Sequence, residues 1–238
     1  MTNTLLTVRN LPGADAVLLI HGLASDGRSD WETTGVVQAL ADAGRGAIVV
    51  DLPGHGDGPS LHRGQATTSD IAAALADAIA DAGLEVADVI AYSLGARLAW
   101  TLAGSGLVRR LVLGGLSPMD PFGEIDVDAL EAAAGGAVPA DPMIGMLAQI
   151  LRAPGVDAAS VVGLIDALHA EPFDAGVDAP TCPTLFISGS DDQMSQGVEA
   201  LVTAVPGSTL ERVPGDHLGA LASPEFRAAA VRFVTTDR

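Results

Sequence analysis

The sequence contains no lysine, a single cysteine and few aromatic residues. All 12 basic residues are arginine, and together with 30 acidic residues they give a formal net charge of −18 at pH 7. A surface of this sign repels phosphate backbones and anionic lipids, so it argues against nucleic-acid or membrane-surface binding. The lone Cys182 excludes an internal disulfide and a thiolate metal cluster. We interpret the acidity as a contribution to solubility.

Long apolar runs, targeting signals and cofactor motifs are also missing. No basic segment followed by an apolar one opens the chain, and no apolar run is long enough to cross a bilayer, so we predict a cytoplasmic protein. No cluster of histidine, aspartate and cysteine indicates a metal site, and no glycine-rich phosphate motif follows a strand. We therefore expect neither a metal nor another cofactor. The 238 residues show no break in composition, which favours one domain.

Short apolar runs alternate with segments of helical character. Strands of a parallel sheet buried on both faces are predicted at 16–20, 47–50, 88–91, 111–113 and 184–188. Helices are predicted at 35–43, 69–82, 95–103, 196–205 and 224–234, the second with a cap at Ser69 and Asp70. This pattern predicts an α/β fold with a doubly wound, mostly parallel sheet. Residues 4–8 and 14–20 are expected to form an antiparallel hairpin before the parallel part.

The alternation stops between residues 115 and 183, where prolines separate helical segments. We interpret residues 116–182 as a helical cap inserted into a core of residues 1–115 and 183–238. The cap covers core surface, acts as a lid whose underside lines an apolar substrate pocket, or does both, and we favour the lid. Met143 and Leu147 are candidate residues of its underside.

Ser93 lies between a predicted strand and a predicted helix, in the segment Ala-Tyr-Ser-Leu-Gly at 91–95. Small residues at both ends of this segment suit a nucleophile elbow, a sharp turn that exposes a serine above the sheet. The same pattern also suits an ordinary serine N-cap.

A nucleophilic serine needs a base and an acid that orients the base. His217, in a turn after the predicted strand 208–213, is the candidate base. Asp191 and Asp192 directly follow the strand 184–188 and are the candidate acids, with Asp120 as a third possibility. All these positions follow strands, so they can meet at one edge of the sheet.

The order of serine, aspartate and histidine, together with the surrounding motifs, resembles the α/β-hydrolase superfamily. The motifs are His-Gly at 21–22, Asp-Leu-Pro-Gly-His-Gly at 51–56, the elbow at 91–95, Gly-Ser-Asp-Asp at 189–192 and the late His217. In that family the acid stands three residues after the glycine, which implies Asp192 rather than Asp191. The resemblance also implies that the backbone amides of Leu23 and Leu94 stabilise an oxyanion.

The resemblance implies a serine hydrolase that cleaves a carboxylic ester of a small molecule. A hydrolase of the same fold acting on a thioester, a lactone or a carbon–carbon bond is one alternative, and a non-catalytic ligand-binding receptor is another. The elbow also resembles that of a menaquinone-pathway lyase, which has an arginine four residues after its serine, here Arg97. Arg97 and Trp31 are candidate substrate contacts, although we favour a surface ion pair for Arg97 and core packing for Trp31. The oligomeric state stays open.

Overall fold

A seven-stranded sheet forms the centre of the computed structural model, which describes residues 4–177 and 179–236. The strands are β1 (Thr7–Leu11), β2 (Ala14–Ile20), β3 (Arg45–Asp51), β4 (Ala87–Tyr92), β5 (Val108–Gly114), β6 (Thr184–Gly189) and β7 (Thr209–Val213). Their order across the sheet is β1-β3-β2-β4-β5-β6-β7. Strand β1 is antiparallel to β3, and the other pairs are parallel. The mostly parallel sheet is confirmed.

Helices cover both faces of this sheet. They are α1 (Val36–Asp42), α2 (Thr68–Asp81), α3 (Leu94–Ala103), α4 (Val127–Ala134), α5 (Pro142–Ile150), α6 (Ala158–Ala170), α7 (Glu199–Ala204), α8 (His217–Ala222) and α9 (Pro224–Thr235), and a π-helical turn (Arg28–Thr33) precedes α1. Alternate residues of β2 pack into two apolar layers: Leu18 and Ile20 lie in the layer with α2 and α3, and Val17 and Leu19 in the layer with α1 and α9. The doubly wound fold is thereby confirmed. None of the helices in the described ranges is long and apolar enough to span a bilayer.

The predicted antiparallel hairpin of residues 4–8 and 14–20 is wrong. Strand β1 pairs with β3, and both edges of β2 are occupied by the parallel strands β3 and β4. The last four residues of β2 are buried on both faces, which suits an inner strand better than a hairpin at the edge of the sheet. Between β1 and β2 the chain crosses the start of β3, where Gly13, with φ of 148°, leaves no room for a Cβ beside the backbone of Arg45 and Gly46.

Two predicted helix ends also differ from the structure. Helix α7 begins at Glu199 rather than at residue 196, because Gly197 adopts the left-handed conformation, with φ of 83°, and interrupts the helix. The cap of α2 is Thr67, not Ser69. The Thr67 hydroxyl accepts the Asp70 N–H, and the Asp70 carboxylate accepts the Thr67 N–H, which together form a capping box.

The segment between β5 and β6 contains α4, α5 and α6, and it is joined to the core by polar contacts. The Arg63 guanidinium, on the loop before α2, binds Asp128 at 2.6 Å, Glu131 at 2.8 Å and Asp166 at 3.2 Å. The Ser160 hydroxyl of α6 accepts a backbone N–H from the same loop. These contacts join α4 and α6 to the loop that follows β3.

Candidate functional site

Ser93 lies in a strained turn between β4 and α3. Its φ of 51° is in the left-handed region, which is uncommon for a residue with a side chain. The turn needs small neighbours: a Cβ on Gly95 would overlap the carbonyl oxygens of Ile20 and His21, the second at 2.6 Å. This geometry fits a nucleophile elbow rather than a simple N-cap, since the Ser93 side chain makes no capping hydrogen bond.

The Ser93 side chain begins a line of hydrogen bonds through His217 to Asp192. The Ser93 Oγ lies 2.9 Å from His217 Nε2, and His217 Nδ1 lies 2.9 Å from Asp192 Oδ2. Because a carboxylate only accepts, Nδ1 carries the proton and Nε2 is free to accept from the serine. The three residues follow β4, β7 and β6, so the carboxyl edge of the parallel sheet brings them together.

The other two candidate acids lie elsewhere. Asp191 is exposed and accepts a hydrogen bond from Ser190. Asp120 accepts the backbone N–H groups of Phe122 and Phe173, at 2.9 and 2.6 Å, and its hydrogen bonds do not involve His217. The carboxylate that the structure places on His217 is therefore Asp192.

Asp192 is held as a carboxylate by its surroundings. It is 4% exposed, and burial works to raise its pKa. Hydrogen bonds from His217, from the Ser195 hydroxyl and from the Met194 N–H outweigh burial, so the pKa lies below its ordinary value. A charged Asp192 can orient the imidazole and stabilise its protonated form.

The backbone of His217 is fixed from two sides. His217 is the first residue of α8, and the preceding Asp216 caps this helix by accepting the Gly219 N–H at 2.8 Å. The Tyr92 hydroxyl, next to Ser93 in the chain, donates to the His217 carbonyl oxygen at 2.5 Å. Burial, followed by the negative charges nearby, raises the pKa of Tyr92, so its hydroxyl stays a donor.

A loop from His21 to Ser25 lies against Ser93. A Cβ built on Gly22 would lie 3.5 Å from the Ser93 Cβ, so Gly22 packs directly against the serine. Asp30, in the π-helical turn, accepts hydrogen bonds from the Gly22 N–H at 2.9 Å and from the Ser25 hydroxyl. Leu94 opens α3, where the first N–H groups have no partner within the helix. The predicted oxyanion role of Leu23 and Leu94 stays a prediction.

Two buried histidines support the backbone of this loop and of the turn after β3. The His21 Nδ1–H donates to the Gly22 carbonyl at 2.7 Å, and Nε2 accepts the Leu52 N–H at 3.0 Å. His55 lies 5.2 Å from His21 between ring centres, and its Nδ1–H donates to the Pro53 carbonyl. Burial and the neighbouring His21 lower the pKa of His55 to about 3.

The expectation that Arg97 forms a surface ion pair is wrong. Arg97 is 8% exposed, donates to the Glu171 carbonyl oxygen at 2.8 Å and to the Thr101 hydroxyl at 3.1 Å, and lies 4.9 Å above the Phe173 ring. Burial lowers its pKa, against the opposing effect of Asp120 and Glu171. Sequence reasoning missed this because the covering residues come from the end of the inserted segment, far along the chain.

Arg97 also borders a cavity of about 230 Å³ between α2, α3 and the end of the inserted segment. Trp100 and Phe173 form its aromatic wall, and Glu171 lies at its edge. The described residues that line it include neither Ser93 nor His217. The cavity is therefore separate from the hydrogen-bonded line of Ser93, His217 and Asp192.

A family model described as the alpha/beta hydrolase family matches residues 17–230. The chain belongs to the alpha/beta hydrolase family. An AB hydrolase superfamily protein of Gibberella zeae is 35% identical over 113 residues, which are 46% of this chain and 38% of that relative. The chain thus spans well under half the length of this curated relative.

Solved structures similar to this alpha/beta hydrolase cover almost the whole chain. A thermophilic esterase from Thermogutta terrifontis is 22% identical, with a TM-score of 0.75 and coverage of 95% of this chain and 91% of its own. The enol-lactonase from Burkholderia xenovorans LB400 is 20% identical, with a TM-score of 0.75 and coverage of 97% and 96%. At these identities the likeness establishes the fold.

The remaining residues predicted to contact substrate lie in two places: Trp31 lies in the π-helical turn, and Met143 and Leu147 lie one turn apart on α5. Trp31 is fully buried in the layer with α1 and α9, so it packs in the core, which is the alternative we favoured. Leu147 is 4% exposed within the other layer, and Met143 is 45% exposed. Roles for Met143 and Leu147 in substrate binding stay predictions.

Within residues 4–177 and 179–236, no group of three or more histidine, cysteine or acidic side chains is arranged to hold a metal ion.

Three supporting residues escaped sequence reasoning: Asp30, Tyr92 and Ser195. Asp30 holds the loop beside Ser93, Tyr92 holds His217, and Ser195 holds Asp192. The positions of Tyr92 and Asp30 in the sequence could have indicated their roles, because Tyr92 adjoins Ser93 and Asp30 follows the His-Gly motif by eight residues. Ser195 carried none, since its role depends on how the loop after β6 folds back.

Proposed function

We propose that this alpha/beta hydrolase cleaves a carboxylic ester of a small molecule through an acyl-enzyme formed on Ser93. The observation that carries the proposal is the continuous line from Ser93 Oγ to His217 Nε2 and from His217 Nδ1 to Asp192 Oδ2, both at 2.9 Å. This is the geometry that general-base activation of a serine requires. The thermophilic esterase among the similar structures supports the substrate class.

The reaction follows from the positions of these groups. Ser93 Oγ attacks the ester carbonyl carbon while its proton passes to His217 Nε2, and the carbonyl oxygen becomes an oxyanion. The Leu23 and Leu94 amides donate to that oxyanion, and each such donor contributes about 3–4 kcal/mol to lowering the barrier. His217 then protonates the leaving alkoxide. It next takes a proton from a water molecule that attacks the acyl carbon. The bond to Ser93 Oγ then breaks, His217 returns the proton to Ser93 Oγ, and the carboxylic acid leaves. Asp192 stabilises the imidazolium in both halves of the reaction.

Residues 116–182 form a cap in this proposal, inserted between the core segments 1–115 and 183–238. The loop before α2, which carries Arg63, contacts α4 and α6 of this cap, and we keep the interpretation of the cap as a lid over an apolar pocket. Apolar side chains on the cap, among them the exposed Met143 and Met146, suit the acyl part of a neutral ester.

A lactone is the alternative substrate with specific support, since an enol-lactonase is among the similar structures. The lyase alternative is disfavoured by Arg97. Its guanidinium is held by Glu171 and Thr101 in a cavity whose described lining excludes Ser93, so it is not placed to bind a carboxylate at the nucleophile. Turnover of an ester distinguishes the proposed hydrolase from a ligand-binding receptor, which would bind the ester without cleaving it.

A panel of p-nitrophenyl esters from acetate to decanoate tests the proposal, with Ser93→Ala as the matched variant. We expect wild type to hydrolyse the neutral esters and kcat/KM to rise with acyl length, because each buried methylene contributes about 0.8 kcal/mol until the pocket is full. Lactones are assayed beside the esters to separate the two substrate classes. No turnover of either class by correctly folded wild type contradicts the proposal, and pyruvate release from a carboxylate-bearing substrate supports the lyase.

A further inference from the structure

The line of hydrogen bonds does not end at Asp192. The Ser195 hydroxyl lies 2.8 Å from Asp192 Oδ2, and the Ser188 hydroxyl lies 2.6 Å from that of Ser195. An Arg212 Nη1–H group donates to Ser188 Oγ at 2.8 Å. Ser195 is 0% exposed and Ser188 is 1% exposed, so two hydroxyl groups are buried behind the proposed acid without any part in the proposed chemistry.

The donor and acceptor chemistry of these groups sets the direction of each hydrogen bond in this line. Asp192 is a carboxylate and has no proton to give, so the Ser195 hydroxyl donates to it. The proton of Ser195 is thereby used, so Ser195 accepts from Ser188 at 2.6 Å, which is nearer to Ser188 Oγ than the alternative acceptor, the Gly189 carbonyl oxygen at 3.4 Å. The Ser188 oxygen in turn accepts from Arg212, because a guanidinium only donates. Each hydroxyl therefore donates once and accepts once, and the bonds all point toward Asp192 Oδ2. Hydrogen bonds aligned in this way polarise and strengthen one another.

The sheet itself builds this arrangement. Ser188 of β6 and Arg212 of β7 are direct partners in the register of the two strands, which places the guanidinium beside the hydroxyl. Arg212 is fixed in turn by an ion pair with Glu199 at the start of α7. In the loop after β6, the N–H groups of Met194 and Ser195 donate to Asp192 Oδ1, so both carboxylate oxygens are held.

We propose that Ser195, Ser188 and Arg212 are positioning residues that hold Asp192 Oδ2 toward His217. The inference rests on the proposed function, since Asp192 is there the residue that orients the base. Without the Ser195 hydroxyl, Oδ2 keeps His217 as its single donor and the carboxylate is freer to rotate. The negative charge of Asp192 is then less shared, so we expect the acid limb of the rate profile to move to higher pH.

Other charged or titratable groups near Asp192 have separate partners. The neighbouring Asp191 is exposed, and Asp216 accepts the Gly219 N–H of α8. Tyr92 stays neutral and donates to the His217 carbonyl oxygen. The charge of Glu199 is balanced by Arg212 itself. The effect of Ser195 on the pH profile is therefore expected through the hydrogen bond rather than through a new charge.

The first test compares Ser195→Ala with Ser190→Ala, an exposed serine of the same loop that bonds to Asp191. For Ser195→Ala we expect kcat to fall about tenfold, the size of one weak hydrogen bond to a charged group. We expect KM to change little, and the acid limb of the kcat/KM profile to move by about half a pH unit to higher pH. Ser190→Ala is expected to match wild type in all three quantities.

A second variant pair covers the case in which Ser195→Ala does not fold. Arg212 is partly exposed, so Arg212→Met is expected to fold and to lower kcat about threefold. Combined with Glu199→Gln, which leaves no unpaired carboxylate, it is expected to move the acid limb in the same direction. Arg212→Lys keeps a donor and is expected to restore most of both effects. If Ser195→Ala or Arg212→Met has an unchanged kcat and acid limb while Ser93→Ala is inactive, the positioning role is wrong and the proposed function stands. If Ser93→Ala keeps its activity, the proposed function itself is wrong.

Discussion

Replacing Asp192 by asparagine is the sharpest perturbation of the proposed site, because it exchanges one carboxylate oxygen for an NH₂ group and leaves the shape intact. The carbonyl oxygen of the new amide is expected to take the place of Oδ1, where it keeps the N–H groups of Met194 and Ser195. The amide NH₂ then faces His217 Nδ1 and the Ser195 hydroxyl in place of Oδ2. Nδ1 must now accept, so the imidazole proton moves to Nε2, which can no longer take the proton of Ser93.

We expect Asp192→Asn to lower kcat by about 10⁴-fold, the effect of the wrong imidazole tautomer in a serine hydrolase. This corresponds to about 5.5 kcal/mol in the barrier. Asp191→Asn is the matched control, since its carboxylate is exposed and bonds only to Ser190 among the described hydrogen bonds. The assay is steady-state hydrolysis of the best p-nitrophenyl ester, with thermal unfolding to check the fold. Equal losses in the two variants, or a harmless Asp192→Asn beside an inactive Asp120→Asn, would refute the reasoning.

Two further predictions concern the scaffold of the site. Gly95→Ala is expected to lower the free energy of unfolding by about 1–3 kcal/mol, because the new Cβ meets backbone oxygens. Urea denaturation measures this, with Gly145→Ala as the control, since a Cβ on that helix glycine would be 3.5 Å from the nearest atom. Equal stability of the two variants would be contrary evidence. The pKa of His55 falls on folding from 6.5 to about 3, so its contribution to stability is complete above pH 6.5 and is lost as pH falls toward 3. His55→Asn is expected to weaken the acid dependence of stability in this window, and an unchanged slope would count against a buried neutral His55.

The sequence predicted those parts of the molecule that depend on local pattern. Continuous apolar runs indicated parallel strands, and because the carboxyl ends of such strands share one edge, Ser93, Asp192 and His217 could be expected to meet. Gly95 was expected for a steric reason that the structure makes explicit. The choice of Asp192 over Asp191 came from a family spacing, and the hydrogen bond to His217 agrees with it.

Other features depend on contacts between segments distant in the chain. The order β1-β3-β2 places β2 inside the sheet, between two parallel strands. The seven residues of β2 alone do not reveal whether the strand lies inside the sheet or at its edge. The burial of Arg97 depends on the path of residues 171–177, and the line from Arg212 to Asp192 depends on the register of β6 and β7. Neither can be deduced from spacing along the sequence.

Covalent labelling of the nucleophile tests the central claim most directly. A fluorophosphonate reacts with a serine only when a base activates it, so incubation with intact protein followed by mass spectrometry reports Ser93 without assuming any substrate. We predict one adduct per chain, located on Ser93, and its loss in Ser93→Ala with the fold preserved. Absence of an adduct on folded wild type, or an adduct that persists in Ser93→Ala, would contradict the account.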